Sequence, residues 1–247
     1  MTYVEGFVVA VPTANRDEYR RHAAAALPLF REFGVTRMVE AWGEDVPDGK
    51  VTDFKGAVQA TPDETVVFSW FEYPSKEARA AATEKMMADP RMKEMGSSMP
   101  FDGQRMIMSG FGGIVEEGAG GSMGYVDGFV APVHLDKQEA YRAMAANASK
   151  LFIEHGATRV VEAMGDDLMR GKVTDFYRAV KAEEGENVVF SWVEWPSKAV
   201  RMEGWAKVMA DPRMQPEGEM PFDGKRMFWG GFDILLDSQA GPQAEGA

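Results

Sequence analysis

From residue 3 to residue 11 the chain alternates around Glu5, Phe7 and Val9, and Pro12 closes the run, which predicts a strand. A helix follows, capped by Asn15 or Thr13 and reaching about Phe33. Tyr19, Ala23, Ala26, Leu27 and Phe30 fall on one of its faces, and Gly34 stops it. Residues 36–42 read as a second strand. Past the turn-rich residues 43–48, an extended stretch is expected over 51–59 and a strong strand over 65–73. Pro74-Ser75-Lys76 opens a second helix to about Ala88, Asp89-Pro90 starts a short further turn, and residues 106–115 form the last strand.

The same pattern then runs again. Val4-Glu5-Gly6-Phe7-Val8 returns as Val126-Asp127-Gly128-Phe129-Val130, and Gly49-Lys50-Val51-Thr52-Asp53-Phe54 as Gly171-Lys172-Val173-Thr174-Asp175-Phe176. Val66-Val67-Phe68-Ser69-Trp70 returns as Val188-Val189-Phe190-Ser191-Trp192, and Asp89-Pro90-Arg91-Met92 as Asp211-Pro212-Arg213-Met214. Met99-Pro100-Phe101-Asp102-Gly103 returns as Met220-Pro221-Phe222-Asp223-Gly224, after a one-residue gap. Internal self-similarity on this scale means a duplicated domain. The expected division is a first repeat at 1–117, a Gly-rich linker at 118–123, a second repeat at 124–238 and a disordered tail at 239–247.

Apart from the middle arm, each repeat has the order β-α-β-β-α-β. This is the ferredoxin-like unit, a four-stranded antiparallel sheet with both helices on one side. Its other face is apolar and needs a cover. The expected fold class is therefore α+β, with the two sheets facing each other and closing into a shared barrel or sandwich within one chain. The motifs Gly43-Glu44-Asp45, Gly49 to Phe54, Phe68-Ser69-Trp70, Pro74-Ser75-Lys76, Asp89 to Met92 and Met99 to Gly103 resemble those of the YbaA-like family, domain of unknown function 1428. The resemblance covers both halves and implies a ferredoxin-like fold of the dimeric α/β-barrel group, with the two sheets packed face to face within one chain. It brings no activity or catalytic residues with it, and the chain departs from a single-domain member by carrying two copies.

The net charge is −12, with −6 in each half, so neither half is a basic arm and a nucleic-acid partner is not expected. No stretch approaches the roughly 20 apolar residues of a membrane helix. The N-terminus lacks the basic and apolar regions of a signal peptide, so a cytoplasmic location is expected and a membrane partner is not. Cysteine is absent, which removes disulfides and thiolate chemistry.

The three histidines, His22, His134 and His155, fall at unrelated places, so neither a metal site nor a Ser-His-Asp triad is expected. Gly43 to Lys50 has the wrong spacing for a phosphate loop, and no cofactor is expected. Strand parity is more informative, since residues two apart share a face. It groups Tyr3, Glu5 and Phe7; Met38, Glu40 and Trp42; and Phe68, Trp70 and Glu72. The second copy repeats this with Asp127 and Phe129, Glu162 and Met164, and Trp192 and Glu194. The opposite parity carries small residues such as Gly6, Ala41 and Ser69, which would let helices approach. The aromatic, carboxylate-bearing face is accordingly assigned to the cleft between the sheets, and Arg37 and Arg159, of the other parity, to the surface.

A carboxylate among rings is partly desolvated and suited to acid or base work. Glu40 and Glu162 are the expected catalytic residues, and Trp42, Trp70, Glu72, Trp192 and Glu194 the expected ligand contacts. Pairing of such carboxylates with Arg105 and Arg226 is the structural alternative. Asp89 and Asp211 are expected as N-caps, Asp102 and Asp223 as turn residues, and Asp53 and Asp175, with Lys50 and Lys172, as bridges to the other half. Met86, Met87, Met92, Met95 and Met99 are assigned to core packing, with the lining of an adaptable pocket as the alternative. The expected function is binding of a small organic molecule between the sheets, extended to cofactor-free acid/base or oxygenase-type chemistry. The alternative is a non-catalytic interaction or scaffold module with a solidly packed intersheet layer. Pairing of two chains into a homodimer stays open.

Overall fold

Each repeat begins on a strand because bulky side chains alternate there. β1 (Tyr3–Pro12) leads through a 3-10 turn (Thr13–Asn15) into α1 (Arg16–Phe33) and β2 (Arg37–Asp45). β3 (Glu64–Tyr73), α3 (Lys76–Ala88), α4 (Pro90–Ser97) and β4 (Ile107–Glu117) follow the short α2 (Phe54–Ala57). The second repeat gives β5 (Tyr125–His134), α5 (Gln138–Glu154), β6 (Arg159–Asp167), α6 (Phe176–Ala179), β7 (Glu186–Trp195), α7 (Lys198–Ala210) and β8 (Phe228–Asp237). This computed structural model describes residues 1–215 and 218–240; of the tail expected to be disordered, residues 241–247 lie outside the described residues.

Local chemistry sets the boundaries and corrects three expectations. Neither Asn15 nor Thr13 caps α1 with its side chain; the helix grows out of the 3-10 turn, with Asp17 and Glu18 against its N-terminal dipole. The stretch 51–59 is not extended throughout. The Asp53 carboxylate accepts from Gly56 N at 2.6 Å and so caps α2, and Asp175 caps α6 in the same way. Those aspartates therefore serve their own repeat. The bridge to the other half comes from the threonine beside each: Thr52 Oγ1 donates to Arg226 O at 2.8 Å and Thr174 Oγ1 to Ala57 O at 2.7 Å.

All neighbouring strands run antiparallel. The first sheet has the order β4-β1-β3-β2 and the second β8-β5-β7-β6, and β2–β8 and β4–β6 pairing closes them into one eight-stranded barrel. Among the described residues, closure leaves no sheet edge unpaired. The interior is layered along the barrel. At one end Phe54 packs 4.8 Å from Phe228, and Phe176 5.1 Å from Phe111. Above them Phe68 stacks on Phe190 at 4.5 Å, and Trp70 on Trp192 at 4.4 Å. The indoles then donate to Glu72 and Glu194, at 3.1 and 3.0 Å, which close the other end.

Register decides which parity faces inward. Gly6 and Val39 lie directly across from Trp70, so the small-residue sets of β1 and β2 share the barrel interior with the aromatic set of β3. Glu5, Phe7, Glu40 and Trp42 therefore face the helices instead of the space between the sheets. The physical reason is room. A Cβ on Gly6 would sit 2.9 Å from the Phe190 ring, and one on Gly128 2.9 Å from Phe68. The small residues make space for the opposite repeat's rings, not for helices.

Candidate functional site

Because β2 turns Glu40 towards the helices, its carboxyl is buried between α1 and the sheet. Tyr19 on α1 donates its hydroxyl to Glu40 Oε2 at 2.6 Å, and Ser69 lies directly across on β3. Burial pushes the Glu40 carboxyl up to about 7, against the smaller opposing pull of the Tyr19 and Ser69 hydrogen bonds. Burial and the adjacent Glu40 hold the Tyr19 hydroxyl well above its ordinary range, so it stays a donor. The second repeat rebuilds the same triad: Tyr141 donates to Glu162 Oε2 at 2.7 Å, Ser191 lies opposite, and burial again raises the carboxyl to about 7.

Each triad forms part of a cavity wall. Beside Glu40 is a space of about 340 Å³ bounded by Phe7, Phe30, Phe71 and Phe101. The methionines assigned to core packing, Met86, Met87, Met92, Met95 and Met99, all line this space, with Met38 and Met108 of the sheet. They sit on α3, on α4 and just beyond; α7 in the second repeat is as long as α3, and the 3-10 turn Pro212–Met214 stands where α4 begins in the first. His22 also lines the cavity, and burial lowers its pKa. Glu162 faces a second, more polar space of about 850 Å³ reached by Asn147, Lys150 and Gln215. Both volumes fall in the range of small-molecule sites. Thioether walls adapt readily to ligand shape.

The other expected site residues lie elsewhere. Trp70 and Trp192 are fully buried in the barrel stack, and none of the three cavities described is lined by either. The packed interior therefore overturns the expectation of a ligand cleft between the sheets. Glu72 and Glu194 pair there with Arg37 and Arg159, which are buried and not at the surface. Arg37 grips Glu194 at 2.8 and 3.1 Å, and Arg159 grips Glu72 at 2.7 and 3.0 Å, each across the repeat boundary. Trp42 packs under the Arg16 guanidinium in the helix-facing core. Arg105 and Arg226 pair with Glu64 and Glu186, not with Glu40 or Glu162.

Sequence reasoning did not single out Tyr19, Tyr141, Ser69 or Ser191. The signal was present: each tyrosine and serine recurs at the same offset as its glutamate. Among the described residues no group of three or more His, Cys, Asp or Glu side chains could hold a metal ion, and no helix is long and apolar enough to cross a membrane.

Comparison with known proteins adds the family and the fold. The family described as "Protein of unknown function (DUF1428)" matches residues 2–103 and again residues 124–224. The "Uncharacterized protein YbaA" of Escherichia coli K12 is 66% identical over 117 residues, which span all of that protein and 47% of this chain; that of Shigella flexneri matches equally. Among solved structures, a "putative monooxygenase" from Fusobacterium nucleatum superposes with a TM-score of 0.60 at 11% identity, over 96% of this chain and 93% of that one. Another so named, from Lactobacillus acidophilus, gives 0.60 at 10% identity over 96% and 95%. At such identities the likeness is one of fold.

Proposed function

The chain is a tandem member of the DUF1428 family, and from that premise we propose that each repeat binds a small organic molecule between its sheet and its helices, with Glu40 and Glu162 as proton acceptors or donors. One observation carries this reading. A carboxyl raised to about 7 stands in the wall of a largely apolar cavity, with a tyrosine hydroxyl as its charge-stabilising partner. A carboxyl of that kind is divided between its two protonation states near neutral pH, where acid/base exchange is most effective.

The step the site supports is a proton transfer. A ligand O–H or activated C–H gives its proton to Glu40, the C–H or O–H bond electrons stay on the ligand, and Tyr19 stabilises the carboxylate between turnovers. Walls of Phe and Met give the exchange a largely apolar surrounding. Oxygenase-type chemistry would add dioxygen as oxidant, one atom entering the product and the other leaving as water with two hydrogens from the ligand. The monooxygenase name belongs to the structural neighbours; for this chain it supports the choice of reaction class and nothing finer. The scaffold alternative draws on the packed intersheet layer, which speaks for cohesion of the repeats and leaves both outer cavities available.

Native mass spectrometry of the full chain, purified gently from its own cells, tests this. The expected result is a reproducible organic adduct, up to one per repeat, that is lost from the Glu40→Gln/Glu162→Gln variant. A bare wild-type chain that also shows no change in thermal unfolding with added apolar compounds contradicts it.

A further inference from the structure

The two repeats differ at the inner end of the cavity, and the difference reads as a template for a ligand. In the second repeat the Asp127 carboxylate is fully engaged. Its Oδ1 accepts from Arg201 at 2.9 and 2.7 Å, and its Oδ2 from the indole N–H groups of Trp195 at 2.8 Å and Trp205 at 2.7 Å. The Trp205 ring is clamped edge-to-face 5.0 Å from Phe152 and packs 6.2 Å from Phe129.

The first repeat has the same frame without the indole. Glu5 replaces Asp127, and its Oε1 accepts from Arg79 at 3.1 and 2.6 Å. Tyr73, the counterpart of Trp195, approaches Oε2 only to 3.3 Å. Phe7 and Phe30, counterparts of Phe129 and Phe152, are in place. The counterpart of Trp205 is Thr83, whose hydroxyl turns back to Arg79 O at 3.0 Å. Glu5, Phe7, Phe30 and Thr83 all line the first cavity, whereas Asp127 lines no part of the second. Thus the buried Glu5 carboxylate, whose Oε2 holds one long hydrogen bond, stands in the wall of the first cavity beside the position that an indole takes in the sister repeat. A buried acceptor of this kind favours an added donor strongly.

We infer that the first cavity takes a planar aromatic molecule bearing an N–H or O–H donor, seated where Trp205 sits in the second repeat, with Thr83 as the residue that admits it. The inference rests on the reading that this cavity holds a small organic molecule and adds its class. Glu5 and Glu40 stand two strand spacings across and two residues along from each other, about 12 Å apart at the backbone. A fused-ring ligand held at Glu5 therefore extends towards Glu40. The second repeat, occupied by its own Trp205, takes its ligand farther out and selects differently.

Calorimetric titration of the full chain with indole and with 1-methylindole, which lacks the N–H, tests this. The expected result is one indole site per chain, preferred at least about tenfold over 1-methylindole, the effect of one hydrogen bond to a charged acceptor. Thr83→Trp should abolish that site, Thr83→Phe should do the same by filling the space alone, and Trp205→Thr should add a second site. Equal affinity for the two probes, no indole binding, or unchanged binding in Thr83→Phe with native circular dichroism overturns the inference. If indole fails while other apolar compounds still bind in a Glu40-dependent manner, this inference falls and the proposed function stands. If the N–H preference holds but Glu40→Gln changes neither binding nor its pH dependence, the acid/base reading falls and this one stands.

Discussion

Arg37→Met should destabilise the protein by about 3–5 kcal/mol, the usual consequence of removing one member of a buried ion pair. The Arg37 guanidinium holds Glu194 of the other repeat through two hydrogen bonds and Asp237 through two more, at 3.1 and 2.9 Å. The Glu194 side chain is 0% exposed. Without Arg37 its charge keeps the Trp192 indole at 3.0 Å and Arg159 at 3.3 Å, which do not replace a bidentate partner. Arg37→Lys should also be costly, since one ammonium cannot make the paired fork. Joint replacement of Arg37 and Glu194 by Met and Gln should cost less than the sum of the single changes. Urea unfolding near pH 7 measures this, and a loss below about 1 kcal/mol, the value of an exposed pair, would show that the cluster does not bind the repeats together.

The second large effect concerns pH. Glu40 and Glu162 are raised from 4.5 to about 7 in the folded chain, so between these values the folded state holds protons that the unfolded state has released. Their contribution is full below about pH 4.5 and is lost as pH rises through 7, by about 3 kcal/mol at each site. Glu40→Gln/Glu162→Gln removes the titration while keeping an amide oxygen for Tyr19 and Tyr141. The variant should match the wild type near pH 4.5 and exceed it in stability near pH 8. His22, whose pKa burial lowers, acts in the opposite direction, so the informative quantity is the difference between the two proteins at each pH. A difference that stays constant from pH 4.5 to 8 contradicts the assignment.

Much of the fold is legible in the sequence because duplication doubles every signal. The recurrence of Phe68-Ser69-Trp70 as Phe190-Ser191-Trp192 announces two equal sheets, and an uncovered apolar face on each leaves mutual packing as the economical solution. The inward face is not legible, because period-two alternation sorts residues into two sets without saying which set faces in. Phe68, Trp70 and Glu72 do point into the barrel, whereas Glu5, Glu40 and Trp42 point away from it. Pairing register decided this, with Val39 opposite Trp70 and Glu40 opposite Ser69. Gly6 carried the missing clue, since a glycine in mid-strand marks the close approach of something large, here the Phe190 ring. The same error sent Arg37 and Arg159 to the surface. Glu40 stands out in the sequence as a mid-strand carboxylate, but its partner Tyr19 lies on a helix, and no local pattern joins the two. The methionines of α3 and α4 read as filler because their composition is apolar; only the tertiary structure shows that they surround a space.

The most direct test of the account is a carbon-13 NMR titration of the Glu40 and Glu162 side-chain carboxyls in the full chain, assigned by the two glutamine variants. Midpoints near 7 for both are the predicted result. Midpoints in the ordinary glutamate range, about 4.3, would show that water or a counter-charge reaches these groups and would contradict the proposed acid/base site.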